Sequence, residues 1–301
     1  MRLCFFLNMF SVCFILLYGV TTNHVEAGWS SDPAVVDALA DKTKPFDNDD
    51  EDEEKGLKDP LEPLNRAIFA INDRVDGVLL RPVAQVYRDL TPHVVHTGID
   101  NFLDNLWFPV YFANFVLQGR MEQAGKSLFR FLLNSTMGVL GFFDPGEEFG
   151  LAKEKTGFGD TLGSWGMEPG PYLMLPLLGP STFRGAIGLG VDYLGNPLYI
   201  AAKNKKIYHR RNKHHQWWHW YVAKQALEFV HVRSKYLKAL DDLKETSLDY
   251  YTAIRSLHEQ MIDAQQEKIR ADRAKIMEDH DDKKSAKTKS ESSRSDAPEK
   301  K

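Results

Sequence analysis

The chain has 301 residues, enough for one large domain or two ordinary ones. It carries 38 basic against 42 acidic residues, a net charge of -4, so no global positive field is available to hold nucleic acid. A mean hydropathy of -0.39 excludes a polytopic membrane protein. Both cysteines, Cys4 and Cys13, lie in the first segment. Once that segment is removed, no disulfide, Cys-ligated metal or thiol nucleophile is possible.

Residues 1–27 predict an export signal. Arg2 is a short positive start, Phe5 to Val20 is apolar, and Val25-Glu26-Ala27 places cleavage after Ala27. The apolar run is shorter than the roughly 20 residues a spanning helix needs. Cys13 follows bulky Val12 and is followed by more apolar residues, so the context argues against a lipid anchor. Residues 28–58 predict a disordered linker, because 47–54 are almost all acidic and cannot bury apolar area. From Lys283 the chain is polar and charged, and disorder is predicted there too.

The folded part therefore runs from about 59 to 280, and its periodicity is helical. Leu61, Leu64, Ile68, Ile71 and Val75 share one face, with Asp59 expected as N-cap and Pro60 in the first turn. Thr91-Pro92 opens a second helix through Val95, Ile99, Phe102 and Leu106. A third spans Met121 to about Asn134, and the region 226–266 continues the pattern. Alternation of period two is absent, so the fold class expected is all-α. Residues 106–117 and 128–143 are nearly all apolar, which suits either a buried helix pair or helices lying in a lipid leaflet. The stretch 157–198 is rich in Gly and Pro and predicts irregular backbone packed inside the fold.

Signals for covalent chemistry are weak. Gly159–Gly163 and Gly185–Gly190 lack the strand-before, helix-after context of nucleotide loops. Gly163-Ser164-Trp165-Gly166 is not a nucleophile elbow. His258 and Asp263 have acyltransferase-like spacing on an amphipathic helix, which is the one lead for a lipid-modifying enzyme. His93 and His96, at i and i+3, suit a metal pair or a capping role. Residues 203–221 combine Lys205, Arg210 and Arg211 with Trp217, Trp218 and Trp220. That pattern fits a membrane interface, a solvated helix face or an RNA patch.

Ordered motifs then carry a resemblance. Asp59-Pro60-Leu61-Glu62 with Asn65-Arg66 comes first, then Arg81-Pro82-Val83-Ala84, Asn114 with Leu117-Gln118-Gly119, and Arg130 to Gly138. Gly141-Phe142-Phe143-Asp144 follows. Phe158-Gly159, Thr161-Leu162-Gly163 and Trp165-Gly166 come next, then Gly170-Pro171-Tyr172, Pro176 and Gly179-Pro180-Ser181 with Arg184. In this order they resemble the MlaA/VacJ family of Gram-negative outer-membrane proteins. The resemblance covers about 59–265, leaving 266–301 as a helical extension and a charged tail. It implies an all-helical ring in the inner leaflet of the outer membrane, bound to a trimeric porin. Phospholipid would pass through an amphipathic channel to a soluble periplasmic carrier, with no cofactor and no covalent chemistry. On this view Gly138, Gly141, Phe142 and Phe143 form a mobile element near the pore, and Arg130, Asn134 and Arg184 are candidates for headgroup contact. A secreted structural protein sharing the fold is the remaining alternative.

Overall fold

The computed structural model describes residues 59–203 and 214–295, without the side chains of 214–218, 279–283 and 285–295. The expected signal 1–27, linker 28–58 and interface cations Lys205, Arg210 and Arg211 lie outside the described residues, as do the side chains of Trp217 and Trp218. The fold is helical, as the periodicity predicts, with one small hairpin.

Helix α1 spans Glu62–Val75 and starts at Leu61, with no side-chain cap. The expected Asp59 cap is not formed. Its carboxylate accepts from Asn65 Nδ2 at 2.7 Å and from the Tyr251 hydroxyl at 2.5 Å, tying α1 to a helix 192 residues later. Leu61 is exposed, so solvent can serve the open helix amides and the cap is dispensable. A π-helical segment, Asp76–Leu80, links α1 to α2, Arg81–Leu90. Pro82 has no amide to continue the regular ladder, a physical reason for the widened turn before it.

Helix α3 runs unbroken over His93–Leu117, merging the predicted second helix with the apolar stretch after it. Pro109 lies inside and removes one backbone bond, but packing holds the helix together. Trp107, Val110, Tyr111 and Phe115 bury one face against Ala124 of α4, Met121–Thr136. Phe108 stacks on Phe131 with centroids 4.2 Å apart. Short helices α5, Pro145–Glu148, and α6, Phe158–Ser164, follow.

The Gly/Pro-rich stretch is more regular than its composition predicts. Strands β1, Tyr172–Leu175, and β2, Gly179–Thr182, pair antiparallel with Tyr172 opposite Thr182 and Leu175 opposite Gly179. Left-handed Leu177 and Gly179, with φ of 64° and 83°, close the turn around Pro176. Helix α7, Phe183–Gly195, is capped by Thr182 Oγ1, which accepts from the Gly185 amide at 3.1 Å. Then come α8, Pro197–Lys203, α9, His214–Lys235, α10, Leu237–Thr246, and α11, Tyr250–Ser295. Tyr172 and Met174 of β1 form a second core with Tyr251 and Ile254 of α11. Helix α11 continues past Lys283, where the sequence predicts disorder. Residues 283–295 contain no proline and several good helix formers, which suffices to prolong a helix.

Where α2, α3 and α9 meet, the His96 and His231 rings lie 4.5 Å apart, beside Tyr87 and Ser234. Burial, and then the neighbouring His231, depress the His96 pKa to about 4. The unfolded value is 6.5, so the fold holds His96 neutral and acid must charge it. This contribution to stability is complete above pH 6.5 and is lost as pH falls towards 4. The melting temperature of His96→Phe should therefore drop less between pH 7 and pH 5 than that of the parent. Equal drops would contradict this.

Candidate functional site

A cavity of about 180 Å³ opens between α1, the π segment, the hairpin, α9, α10 and α11. Most of its wall is apolar, from Phe69, Leu80, Met174, Leu177, Val232 and Ile254 among others. The polar contribution is narrow: Asn72, Asp73, Asp76 and Arg233. Arg233 Nε and Nη2 meet the Asp76 carboxylate side-on at 2.7 and 2.9 Å, and Lys244 pairs with Asp73. The site thus joins a hydrocarbon-like wall to one charged edge, as an amphiphile requires.

Two asparagines of α1 hold the hairpin against this cavity. Asn65 accepts from the Met174 amide at 2.9 Å and donates to the Tyr172 carbonyl at 3.2 Å. Asn72, seven residues on and therefore on the same face, accepts from the Leu177 amide at 2.6 Å and donates to the Leu175 carbonyl at 2.9 Å. Each carboxamide takes the place of a neighbouring strand's backbone. Asn72 was not singled out from sequence, although its spacing from Asn65 is the signal that could have found it.

A second, more polar hollow of about 80 Å³ lies between α3, α4 and residues 144–155. Arg130 and Asn134 line it, but their donors are directed to the protein. Arg130 bonds Asp144 and the Leu151 carbonyl, while Asn134 donates to Asp144 at 3.0 Å and accepts from the Gly146 amide at 3.0 Å. Lys153 and Lys155 pair with Asp104; burial alone would raise that carboxyl's pKa, but the two lysines outweigh it and hold it down. Arg184 is elsewhere and is fully buried, its Nη1 donating to the Met167 carbonyl at 2.8 Å. Of the three headgroup candidates, Arg130 and Asn134 share this hollow, while Arg184 lies apart and fastens backbone.

The expected pore-near element is a strained turn. Val139, Leu140 and Gly141 have successive positive φ values of 52°, 61° and 96°. Such conformations cost on the order of 1–3 kcal/mol each outside glycine. A Cβ at Gly141 would lie 2.5 Å from the Asn105 Cβ, and one at Gly138 would lie 2.3 Å from the Phe143 carbonyl oxygen. Phe142 packs over Gly98, while Met137, Val139, Leu140 and Phe143 stand exposed.

The remaining signature residues are structural joints. Thr161 Oγ1 donates to Asn114 at 2.8 Å, and Asn114 donates to Asp192 at 2.9 Å. Gly159 meets Gly188 where α6 crosses α7, and Gly163 lies under the Arg184 guanidinium. Arg66 pairs with Glu62 and Asp249. Pro171 supplies the carbonyl that accepts from the Phe183 amide, and Gly166 and Gly170 take left-handed turns. Pro60 begins the described chain beside Asp59, and Pro180 sits in β2 opposite Met174. His258 is buried edge-on to Tyr172. Asp263 is exposed, five residues or about 140° further round the helix, so no catalytic pair forms. His93 is exposed and His96 faces His231. Among the described residues no group of three or more His, Cys, Asp or Glu could hold a metal.

Exposed apolar side chains are concentrated on helix faces. Phe183, Ile187, Val191 and Leu194 form one stripe of α7, and Leu128, Phe129 and Leu132 one of α4. Val83, Val86 and Leu90 of α2 and Trp220 of α9 are exposed as well. No described helix is long and apolar enough to cross a membrane.

Known proteins share this organisation. The family model of the MlaA lipoprotein matches residues 57–265. The intermembrane phospholipid transport system lipoprotein MlaA of Escherichia coli K12 is 33% identical over 218 residues, 70% of this chain and 79% of that protein. The Haemophilus influenzae protein of the same name is 29% identical over 225 residues, 73% of this chain and 83% of its own. An uncharacterised Rickettsia prowazekii protein is 32% identical over 200 residues, 66% of this chain and 74% of its own. A solved structure, described as the structural basis for maintenance of bacterial outer membrane lipid asymmetry, superposes with a TM-score of 0.57 at 33% identity. It covers 69% of this chain and 99% of that one. With the family match spanning the hairpin, both asparagine joints and the cavity, the chain belongs to the MlaA lipoprotein family.

Proposed function

We propose that this chain is an outer-membrane component of intermembrane phospholipid transport. It takes phospholipids misplaced in the outer leaflet and passes them, without covalent change, to a soluble periplasmic carrier. The observation that carries this reading is the cavity with an apolar wall and a single charged edge, in a chain whose relatives are named for phospholipid transport. The helices form a ring in the inner leaflet beside a trimeric porin. The exposed stripes of α4 and α7 face acyl chains, because exposed apolar surface of this extent marks a membrane or protein contact. Exposed Trp220 sits at the headgroup level. The chain is a conduit and not an enzyme.

The stripe supplies the test. Ile187→Glu with Val191→Glu should move the full chain from the membrane to the soluble fraction while its helical circular dichroism is retained. Purification of the parent in mild detergent should bring down phospholipid and a trimeric porin. A parent found lipid-free in the soluble periplasm would contradict the reading.

A further inference from the structure

Three ion pairs lie at or beside the charged edge of the apolar cavity, and they differ in how firmly they are held. Arg233 meets Asp76 through Nε and Nη2 at 2.7 and 2.9 Å, and Arg81 meets Asp241 through the same two atoms at 3.0 and 2.9 Å. Two parallel bonds fix each guanidinium in its plane. The third pair joins Asp73 to Lys244, a point charge on a flexible stem. The Lys244 and Asp73 side chains are 49% and 32% exposed, and a pair so open to water contributes only about 0–1 kcal/mol. The same ammonium stands over the face of Tyr250, 5.4 Å from the ring centre, and Phe69 supports that ring edge-on at 5.3 Å. Asp73, Tyr250 and Phe69 all line the cavity, while Lys244 reaches in from α10. A carboxylate beside an aromatic face is a setting that attracts an ammonium. The edge of the cavity therefore holds an ammonium already, on a side chain that can swing away.

We propose that this edge is the headgroup subsite for an amine-bearing phospholipid, whose primary ammonium takes the place of the Lys244 ammonium against Asp73 and Tyr250. The proposal rests on the reading of this cavity as a lipid site and names the class of lipid. Met174, Leu177, Leu178, Val232 and Ile254 supply apolar surface for the attached hydrocarbon. A dry cavity of roughly 150 Å³ can hold a small hydrocarbon, so about 180 Å³ has room for part of an alkyl chain. The displaced Lys244 is free to meet the phosphate of the same headgroup, so a zwitterion leaves no charge unpaired. A head with a phosphate and no amine reaches Lys244 only beside the Asp73 carboxylate, which repels it. Exchange of an exposed pair costs little, so the lipid is held without being trapped.

The test uses the full chain in mild detergent, titrated by native mass spectrometry with dioleoyl phosphatidylethanolamine or dioleoyl phosphatidylglycerol. The quantity read is the ratio of the two affinities. The parent should prefer phosphatidylethanolamine by about threefold to fivefold. Lys244→Met keeps the apolar stem, vacates the subsite and should raise that preference by a further factor of about three. Asp73→Asn removes the attracting charge and should bring the two lipids to within about twofold of each other. Opposite shifts in two variants that break the same ion pair are the signature of the subsite, since a pair that only stabilises the fold would leave the ratio where it was in both. A parent without the preference, or variants whose ratios do not move in opposite directions, overturns the ammonium subsite while leaving the cavity as a lipid site. A parent that binds neither lipid overturns the subsite and the transport reading together.

Discussion

Asn65→Leu is expected to destabilise the chain by about 3–5 kcal/mol, because three buried groups lose their partner at once. Asn65 is 1% exposed and joins Asp59, the Tyr172 carbonyl and the Met174 amide. Leucine has a similar volume, so the loss isolates the polar terms. The strand cannot recover these bonds from β2, which occupies its other edge. The Asp59 side chain is 2% exposed, and it would keep only its contact with Tyr251 and a distant Arg255. Several kcal/mol is a large share of the 5–15 kcal/mol that folded domains typically possess. Denaturant midpoints checked against circular dichroism would measure it. Asn72→Leu makes a weaker comparator, since its bonds are only part-buried. A loss below about 1 kcal/mol for Asn65→Leu would show that the hairpin is held by apolar contacts alone.

Gly188→Val is expected to cost at least as much. A Cβ at Gly188 would stand 2.3 Å from the Gly159 amide nitrogen and 2.6 Å from its Cα. These are backbone atoms and cannot swing aside, so α6 and α7 must separate. Overpacking alone costs roughly 1–3 kcal/mol. Separation would also pull the Phe158 amide from Asp192, now at 2.7 Å, and strain the Asn114–Asp192 bond beside it. Gly190 is the internal control: nothing lies within 4 Å of its added Cβ. Gly190→Ala should stabilise by up to about 1 kcal/mol through helix propensity. Similar melting shifts for both glycines would contradict a close crossing at Gly188.

Helices α1, α3, α4 and α11 were legible because their apolar residues recur at helical spacing and extend over several turns. The hairpin was not. Its strands are four residues each, and glycines and prolines mask the alternation. Asp59 was legible as important but not in its role, because capping is a local rule and the carboxylate is claimed by Tyr251 from a distant helix. Signature residues such as Asn114 and Thr161 could be picked out by motif, yet only packing shows that they bond each other. Arg130 and Asn134 share a hollow, and Asp144 accepts from both, a contact no spacing rule reveals. Nothing in the sequence singles out Arg233; its pairing with Asp76, 157 residues earlier, comes from the packing of α9 against the π segment.

The most direct measurement of the account is the lipid that accompanies the full chain through purification in mild detergent, compared with Val232→Trp, which fills the cavity from α9. Extraction and mass spectrometry should find phospholipid with the parent and a marked depletion in the variant, with the two proteins melting alike. Equal phospholipid in both, or none in the parent, would contradict passage of lipid by way of this cavity.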